Sequence, residues 1–325
     1  MRRPWLAPLV PLYAAGAALR ARSVQTRRLG WPVVSIGNLS AGGAGKTPLT
    51  IMLAKLLGEC GVHVDVLSRG YGRASKMAAR VQPEGTAAEF GDEPLLIARA
   101  AQVPVYVAAR RYEAGTLAEA EYTREAGVSC VHLLDDGFQH RQLARDIDIL
   151  LLSREDWHDT LLPAGNLREA RSAARRASVL AIPSEDAALE DELREWGWSG
   201  PVWRLRRAME TPAVTDPVFA FCGIARPAQF FDGLEAAGVK LAMQKAFADH
   251  YDYTEHVVEW LVERARRANA AALVTTEKDA VRLGVLTEQF PADLPLCTAV
   301  LTTSIDNEAA AMNWLLSRLI ASRPV

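Results

Sequence analysis

Short apolar runs rich in β-branched residues alternate with stretches of helical period along the first half of the chain. Val33–Ile36, Val62–Leu67, Val103–Val107, Val128–Leu134, Ile147–Leu152 and Val179–Ile182 read as strands. They are near-continuous apolar runs, as expected of strands in a parallel sheet covered on both faces. Between them Pro48–Cys60, Glu93–Ala101 and Tyr112–Ala126 read as helices. This alternation predicts an α/β fold: a mostly parallel sheet covered by helices on both faces, in a three-layer α/β/α arrangement. Ligands on such sheets sit at the carboxyl ends of the strands.

Near Glu185–Gly200 the composition turns acidic and Gly/Trp-rich, Val202–Arg206 reads as an exposed strand, and Thr211–Pro217 carries two prolines. A boundary near residue 205 is expected there. Beyond it come strands at Val218–Cys222, near Leu241–Phe247 and at Ala271–Thr275, with helices through Phe230–Ala237, Thr254–Asn269 and Ala309–Ile320. The expected organisation is an amino-terminal segment over residues 1–28, a larger unit over 29–205, and a smaller α/β unit over 206–325 that closes over the site.

Composition narrows the function classes. The 325 residues are 50% hydrophobic and 23% charged, which suits a full core and not a disordered chain. A net charge of −2 makes no case for nucleic-acid binding. Cys60, Cys130, Cys222 and Cys297 form no Cys-x-x-Cys pair and read as reduced thiols, and the histidines show no zinc-ligand spacing.

The amino terminus departs from this globular pattern. Trp5, Leu6, Leu9, Val10, Leu12, Tyr13 and Leu19 are large and apolar, and Arg20, Arg22, Arg27 and Arg28 follow. The run is short for a spanning helix, which needs about 20 apolar residues, and Pro8 and Pro11 interrupt it. The preferred reading is an interfacial helix, apolar residues in the acyl boundary and arginines on anionic headgroups. A helix packed on the protein's own core, or a cleaved or spanning segment, are the alternatives.

The densest chemical signal is Val33 to Thr47: an apolar strand, a glycine-rich turn and Gly45-Lys46-Thr47 ahead of a helix. This is the layout of a phosphate-binding loop. Backbone N–H groups of Ser40, Ala41, Gly42, Gly43, Ala44 and Gly45 can cradle a polyphosphate, Lys46 can reach its outer phosphates, and Thr47 can ligate Mg²⁺. Ser40 stands where the strict pattern has glycine. Val131–Asp136 is an apolar strand ending in two aspartates, where the second acidic element of such a site belongs. Asp135 and Asp136 are therefore candidate metal ligands, with capping of the next turn as the plain alternative.

Asp92 and Glu93 open a helix in Gly91-Asp92-Glu93-Pro94, where Asp92 reads as a cap or as a base near the γ-phosphate. His250 lies in the second unit and is a candidate partner for Asp92 across the cleft, assembled when the two halves close. Arg69 and Tyr71 in Ser68–Arg73, and Arg168 in Leu162–Glu169, are candidate contacts for a phosphorylated substrate. Thr275–Asp279 lacks the spacer between Lys278 and Asp279 that guanine reading requires, which argues against a GTPase.

Gly37–Pro48, Ser68–Arg73, Gly91–Pro94, Asp135-Asp136-Gly137-Phe138-Gln139-His140, Leu162–Glu169, Asp249–Tyr253 and Thr275–Leu283 together resemble the tetraacyldisaccharide 4′-kinase family, the lipid A kinases. The resemblance runs in the family's order over nearly the whole chain, amino-terminal helix included. It implies ATP-dependent phosphorylation of the 4′-hydroxyl of a tetraacylated glucosamine disaccharide 1-phosphate, giving lipid IVA. It implies an enzyme on the cytoplasmic face of the inner membrane, with ATP and Mg²⁺ as cofactors and two α/β/α units joined by a two-stranded linker. Carried over, Lys46 and Thr47 bind phosphate and Mg²⁺, Asp135 and Asp136 form the metal element, Asp92 is the base and His250 its partner. Glu93 joins Arg69, Tyr71 and Arg168 as a substrate candidate. No protein partner is implied. Ala44, Asn166, Ala170 and Ala248 depart from the family's usual residues and bear on loop rigidity. The rival reading is a membrane-recruited ATPase of the partitioning or regulatory kind, whose loop carries an early lysine where this chain has Ala41.

Overall fold

The computed structural model describes residues 3–22, 24–42, 45–122, 128–211 and 214–321. A 3-10 turn at Pro4–Leu9 leads into α1 (Val10–Arg22), and a first βαβ unit follows as β1 (Val33–Asn38), α2 (Lys46–Glu59) and β2 (Val62–Ser68). Next come β3 (Ala79–Arg80), α3 (Ala87–Phe90), α4 (Asp92–Ala101), β4 (Val105–Val107), α5 (Arg111–Glu121), β5 (Ser129–Asp135) and β6 (Ile147–Leu151). α6 (Arg154–Trp157), β7 (Val179–Pro183), α7 (Ala187–Glu195) and β8 (Val202–Glu210) carry the chain to its second half. There β9 (Val218–Cys222), α8 (Pro227–Ala236), β10 (Leu241–Ala246), α9 (Glu255–Arg267), β11 (Ala272–Thr276), α10 (Glu277–Leu283), β12 (Leu296–Ile305) and α11 (Glu308–Ala321) complete the fold.

The strands form one sheet in the order β10-β9-β11-β12-β8-β7-β6-β1-β5-β2-β4-β3. β1 lies between β5 and β6, parallel to both, and its six residues are all buried, the polar Ser35 and Asn38 among them. β3 is antiparallel to β4 at one edge; otherwise two parallel blocks meet at an antiparallel junction, where β8 pairs with β12 in the register Arg207↔Thr303 and Leu205↔Ile305. β12 has no counterpart among the strands expected from sequence. Its alternating, Thr-rich pattern is only partly buried, so it lacks the continuous apolar signal of the other core strands. β8 also runs on to Glu210, and the stretch Val202–Arg206 expected to be exposed alternates instead: Trp203 and Leu205 are buried while Arg204 and Arg206 face solvent.

The helices cover both faces. α2 and α4 bury Leu49, Leu53, Leu95 and Ile97 against Val34, Val66 and Val131. α11, which the sequence pattern groups with the second unit, buries Met312, Leu315 and Leu319 in that same core. On the carboxyl-terminal block, α8 packs Phe230 and Leu234 on one face, and α9 packs Val258 and Leu261 on the other. The helix expected to reach Ala126 is described as far as Glu121; residues 123–126 lie outside the described residues.

α1 leaves Leu12 and Leu19 exposed, as the preceding turn does Trp5, while Tyr13 Oη donates to the Arg168 carbonyl at 3.1 Å. The Arg20 and Arg22 side chains lie outside the described residues. Among the described residues no helix is long and apolar enough to cross a membrane.

Candidate active site

β1 ends at Asn38, and α2 starts at Lys46 after Gly45 takes a left-handed φ of 81°. A side chain at Gly45 would collide with the Arg207 guanidinium, whose Nη2 lies 2.6 Å from the place a Cβ would take. The turn between them is braced by the 166–168 segment: Ala41 N donates to Asn166 O at 2.8 Å, and Arg168 N to Leu39 O at 2.7 Å. Ser40 is buried and its hydroxyl accepts from Asn38 Nδ2 at 2.9 Å, so serine in place of glycine is absorbed inside the loop. Asn166 holds Asp159 through its own Nδ2 at 2.7 Å, which supplies rigidity to this turn. Ala41, Gly42, Gly45, Lys46 and Thr47 line the cavity in front of this turn. Gly43 and Ala44 lie outside the described residues.

Lys46 Nζ is 3.1 Å from Asn38 Oδ1 and 3.5 Å from Asp136 Oδ1. The two aspartates at the end of β5 differ sharply. Asp136 accepts from Arg168 Nη1 and Nη2 at 3.1 and 2.9 Å, a bidentate pair. Burial opposes its charge, but Arg168 and Lys46 outweigh burial and hold the carboxyl far below the usual range. Asp135 is 2% exposed, and its Oδ1 has no hydrogen-bond partner among the described residues. Burial, reinforced by Glu93 and Asp136, pushes its carboxyl up to about 7. A buried carboxylate oxygen without a donor among the described residues, lining the same cavity as the buried Thr47 at the head of α2, is a fitting set for Mg²⁺. That ion takes one or two carboxylates and completes its shell with water and phosphate oxygens. A larger all-protein cluster is not needed, and no group of three or more His, Cys, Asp or Glu suited to a metal occurs among the described residues.

Asp92 is the first residue of α4, and Gly91, at φ 89°, is the cap in its place. The expected capping role therefore moves back one position. Glycine is needed there because a Cβ would meet the Tyr71 carbonyl at 3.0 Å and Gly70 Cα at 3.1 Å. This close approach seats the Arg69–Tyr71 turn on the start of α4. Asp92 Oδ1 accepts from Glu93 N at 3.0 Å, and Oδ2 accepts from Arg282 Nε at 2.8 Å and Nη2 at 2.5 Å. His250 Nδ1 lies 3.2 Å from the same Oδ2, so the pair expected to form on closure is already in contact in this conformation. Burial would raise the Asp92 carboxyl, but Arg282, with His250 and Lys278, holds it below its ordinary value. Glu93 pairs with Lys278, the neighbour of Arg282 one turn back on α10.

Arg69 and Tyr71 line the cavity, with the Tyr71 ring 5.5 Å from that of His250. Arg168 also borders it, but directs its donors to Asp136, to Asn38 Oδ1 at 2.7 Å and to Ser40 O at 3.0 Å. It braces the phosphate loop against the acid pair. The cavity measures about 1990 Å³ and is bounded by Lys46, Asp135, Asp92 and His250, with Tyr13 of α1 on its wall.

Sequence reading missed several groups here. Lys278 and Arg282 occupy a segment that carried the family resemblance, but no spacing assigned them a task. Arg111 is 7% exposed, and burial together with Arg69 lowers it to about 10. Arg207 reaches the phosphate loop from β8, where the pattern signals only an exposed strand.

A family model described as tetraacyldisaccharide-1-P 4′-kinase (LpxK) matches residues 2–320. A tetraacyldisaccharide 4′-kinase of Koribacter versatilis is 40% identical, over 95% of this chain and 97% of that protein. One from Rhodopseudomonas palustris strain BisA53 is 37% identical over 98% and 93%. The solved structure of LpxK from Aquifex aeolicus, described as an "apo" form in complex with ATP, superposes with a TM-score of 0.77 at 32% identity. That match covers 97% of this chain and 98% of the other. With a family match across almost its whole length and relatives that share its motifs in order, the chain belongs to the tetraacyldisaccharide-1-P 4′-kinase family.

Proposed function

We propose that this chain transfers the γ-phosphoryl group of ATP to the 4′-hydroxyl of a tetraacylated glucosamine disaccharide 1-phosphate, forming lipid IVA and ADP. The observation that carries the reading is one cavity bounded by a phosphate loop, an acid pair and the Asp92–His250 pair. Lys46 and the N–H groups at the head of α2 hold the outer phosphates, and Arg168 keeps Asp136 and the loop in register. Thr47 and Asp135 would hold Mg²⁺, which neutralises phosphate charge when bound. Asp92 takes the proton from the sugar hydroxyl as the new oxygen–phosphorus bond forms. A carboxylate held below its ordinary value is a weak base at rest. It suffices because the hydroxyl becomes acidic as that bond develops in a loose transition state. His250 orients Asp92, and Arg69 and Tyr71 bind the disaccharide.

In this reading the units over residues 29–205 and 206–325 meet at the β8–β12 junction and close over both substrates, while α11 clasps the first unit. The amino-terminal segment lies in the cytoplasmic face of the inner membrane. Trp5, Leu12 and Leu19, each more than two-thirds exposed, support that placement.

Purified enzyme should turn over ATP only when the lipid disaccharide is supplied. Acceptor-independent hydrolysis, stimulated by vesicles alone, would favour the membrane-recruited ATPase. Lys46→Ala should reduce phosphoryl transfer by about 10²–10³-fold, as loss of a transition-state charge contact does. Removing residues 1–22 should release the enzyme from anionic vesicles and leave ATP binding intact. Binding of the full chain should weaken with salt. A truncated chain that stays equally bound would place the docking surface elsewhere.

A further inference from the structure

Arg282 is held from two sides at the candidate site. From behind, its Nη1 donates to Asp279 Oδ1 at 3.0 Å and to the Gly223 carbonyl at 2.5 Å. Asp279 is itself fully buried and secured by Gly223 N at 3.1 Å, Tyr253 Oη at 3.1 Å and Thr276 Oγ1 at 2.6 Å. In front, Nε and Nη2 both reach Asp92 Oδ2, and Nη2 also lies 3.3 Å from His250 Nδ1. The guanidinium is thus clamped to the carboxyl-terminal block and grips a carboxylate of the amino-terminal block. Both side chains of this pair are less than a tenth exposed.

We propose that Arg282 is a positioning residue for phosphoryl transfer: it carries the rigidity of the Asp279 anchor across the cleft and fixes the orientation and charge of Asp92 beside His250. The inference rests on the reading of Asp92 as the base. The physical argument is geometric. A carboxylate held by one hydrogen bond can rotate, whereas two donors from a planar fork on a single oxygen restrict it. Oδ1 faces only the Glu93 N–H among these contacts, so it keeps acceptor capacity for a substrate proton. A lysine can supply the charge at this place but not the fork.

Asp92 is faced by Arg282 and Lys278 from α10, by His250 from the loop after β10, and by Glu93 on its own helix. Arg282 is faced by Asp92, Asp279 and Asp249, with His250 beside it. Removing Arg282 takes away the foremost attraction that keeps Asp92 ionised against its burial. The Asp92 carboxyl then rises toward its ordinary value.

The test compares Arg282→Gln, Arg282→Lys and Asp92→Asn in the full chain, with kcat and KM measured across pH and folding checked by thermal unfolding. Arg282→Gln should lose about 10²-fold in kcat from misplacement of the base, with KM for ATP unchanged. Its acid limb should move to higher pH. Arg282→Lys should restore the acid limb but not kcat, because charge returns without the fork. An Arg282→Gln enzyme with the parent's kcat and acid limb, alongside an inactive Asp92→Asn, would overturn the positioning role and leave Asp92 as the base. An Asp92→Asn enzyme with unchanged kcat would overturn the base itself, and with it this inference.

Discussion

Two carboxylate–histidine pairs in this chain use the same side chains to opposite ends. Asp65 and His132 stand opposite each other on β2 and β5, with Oδ1 and Nδ1 2.7 Å apart and both side chains sealed from solvent. Glu119 adds a contact to Nε2 at 3.3 Å, and Trp31 stacks on the imidazole at 4.8 Å. Burial alone would lower His132, but Asp65 and Glu119 prevail and raise it to about 9. Asp92 and His250 come from different blocks, meet at 3.2 Å, and leave the histidine side chain 42% exposed to the cleft. The first pair has every partner fixed by neighbouring strands and helices, so its ionisation is bound up with folding. The second opens on a cavity, so it can exchange a proton with something that enters. Placement, and not residue type, divides the structural pair from the reactive one.

The sharpest way to break this comparison is to remove each carboxylate's charge in turn. Asp92→Asn should lower kcat by about 10²–10⁴-fold, the usual value of a general base, and raise KM far less. His250→Ala should lower kcat as well, and the double variant should lose less than the product of the single losses, because the two act as a unit. Fully multiplicative losses would mean that they work separately. For Asp65→Asn the cost should fall on stability. Breaking a buried ion pair costs about 3–5 kcal/mol, seen as a lower urea midpoint, with kcat per folded molecule near that of the parent. A kinetic defect without a stability defect at Asp65 would erase the distinction.

A smaller effect should follow pH. His132 has a folded pKa raised above its unfolded value of 6.5. Its contribution to stability is therefore complete below pH 6.5 and is lost as pH rises through about 9. Urea unfolding of the parent should show the midpoint declining across that window. His132→Gln should be less stable at pH 6 and should flatten the decline. An equally steep decline in the variant would trace the pH effect to other groups.

Some of the site could be read from local sequence because its chemistry is local. The phosphate loop depends on a strand, a glycine turn and a helix start that are contiguous from Val33 to Thr47, and the acid pair closes one apolar strand. Arg282 illustrates what could not be read: its partner Asp92 is 190 positions away. Nothing in the spacing of Glu277–Leu283 signals a contact with the start of α4. β12 escaped notice for a related reason. It is stabilised by its place between β8 and β11, while its own side chains are only partly buried.

By itself the sequence determined the α/β class, the order of the apolar strands and the chemical groups available for phosphoryl transfer. Those properties follow from hydrophobic period and from backbone conformations that neighbouring residues impose. The tertiary structure alone decided that Asp136 is bound to Arg168 while Asp135 keeps an oxygen with no hydrogen-bond partner among the described residues. It also decided that Gly91 rather than Asp92 caps α4, and that α10 supplies cations to both Asp92 and Glu93. Burial and charge pairing depend on which distant segments come together in the fold. They set the ionisation of each carboxylate, which residue type and local spacing leave open.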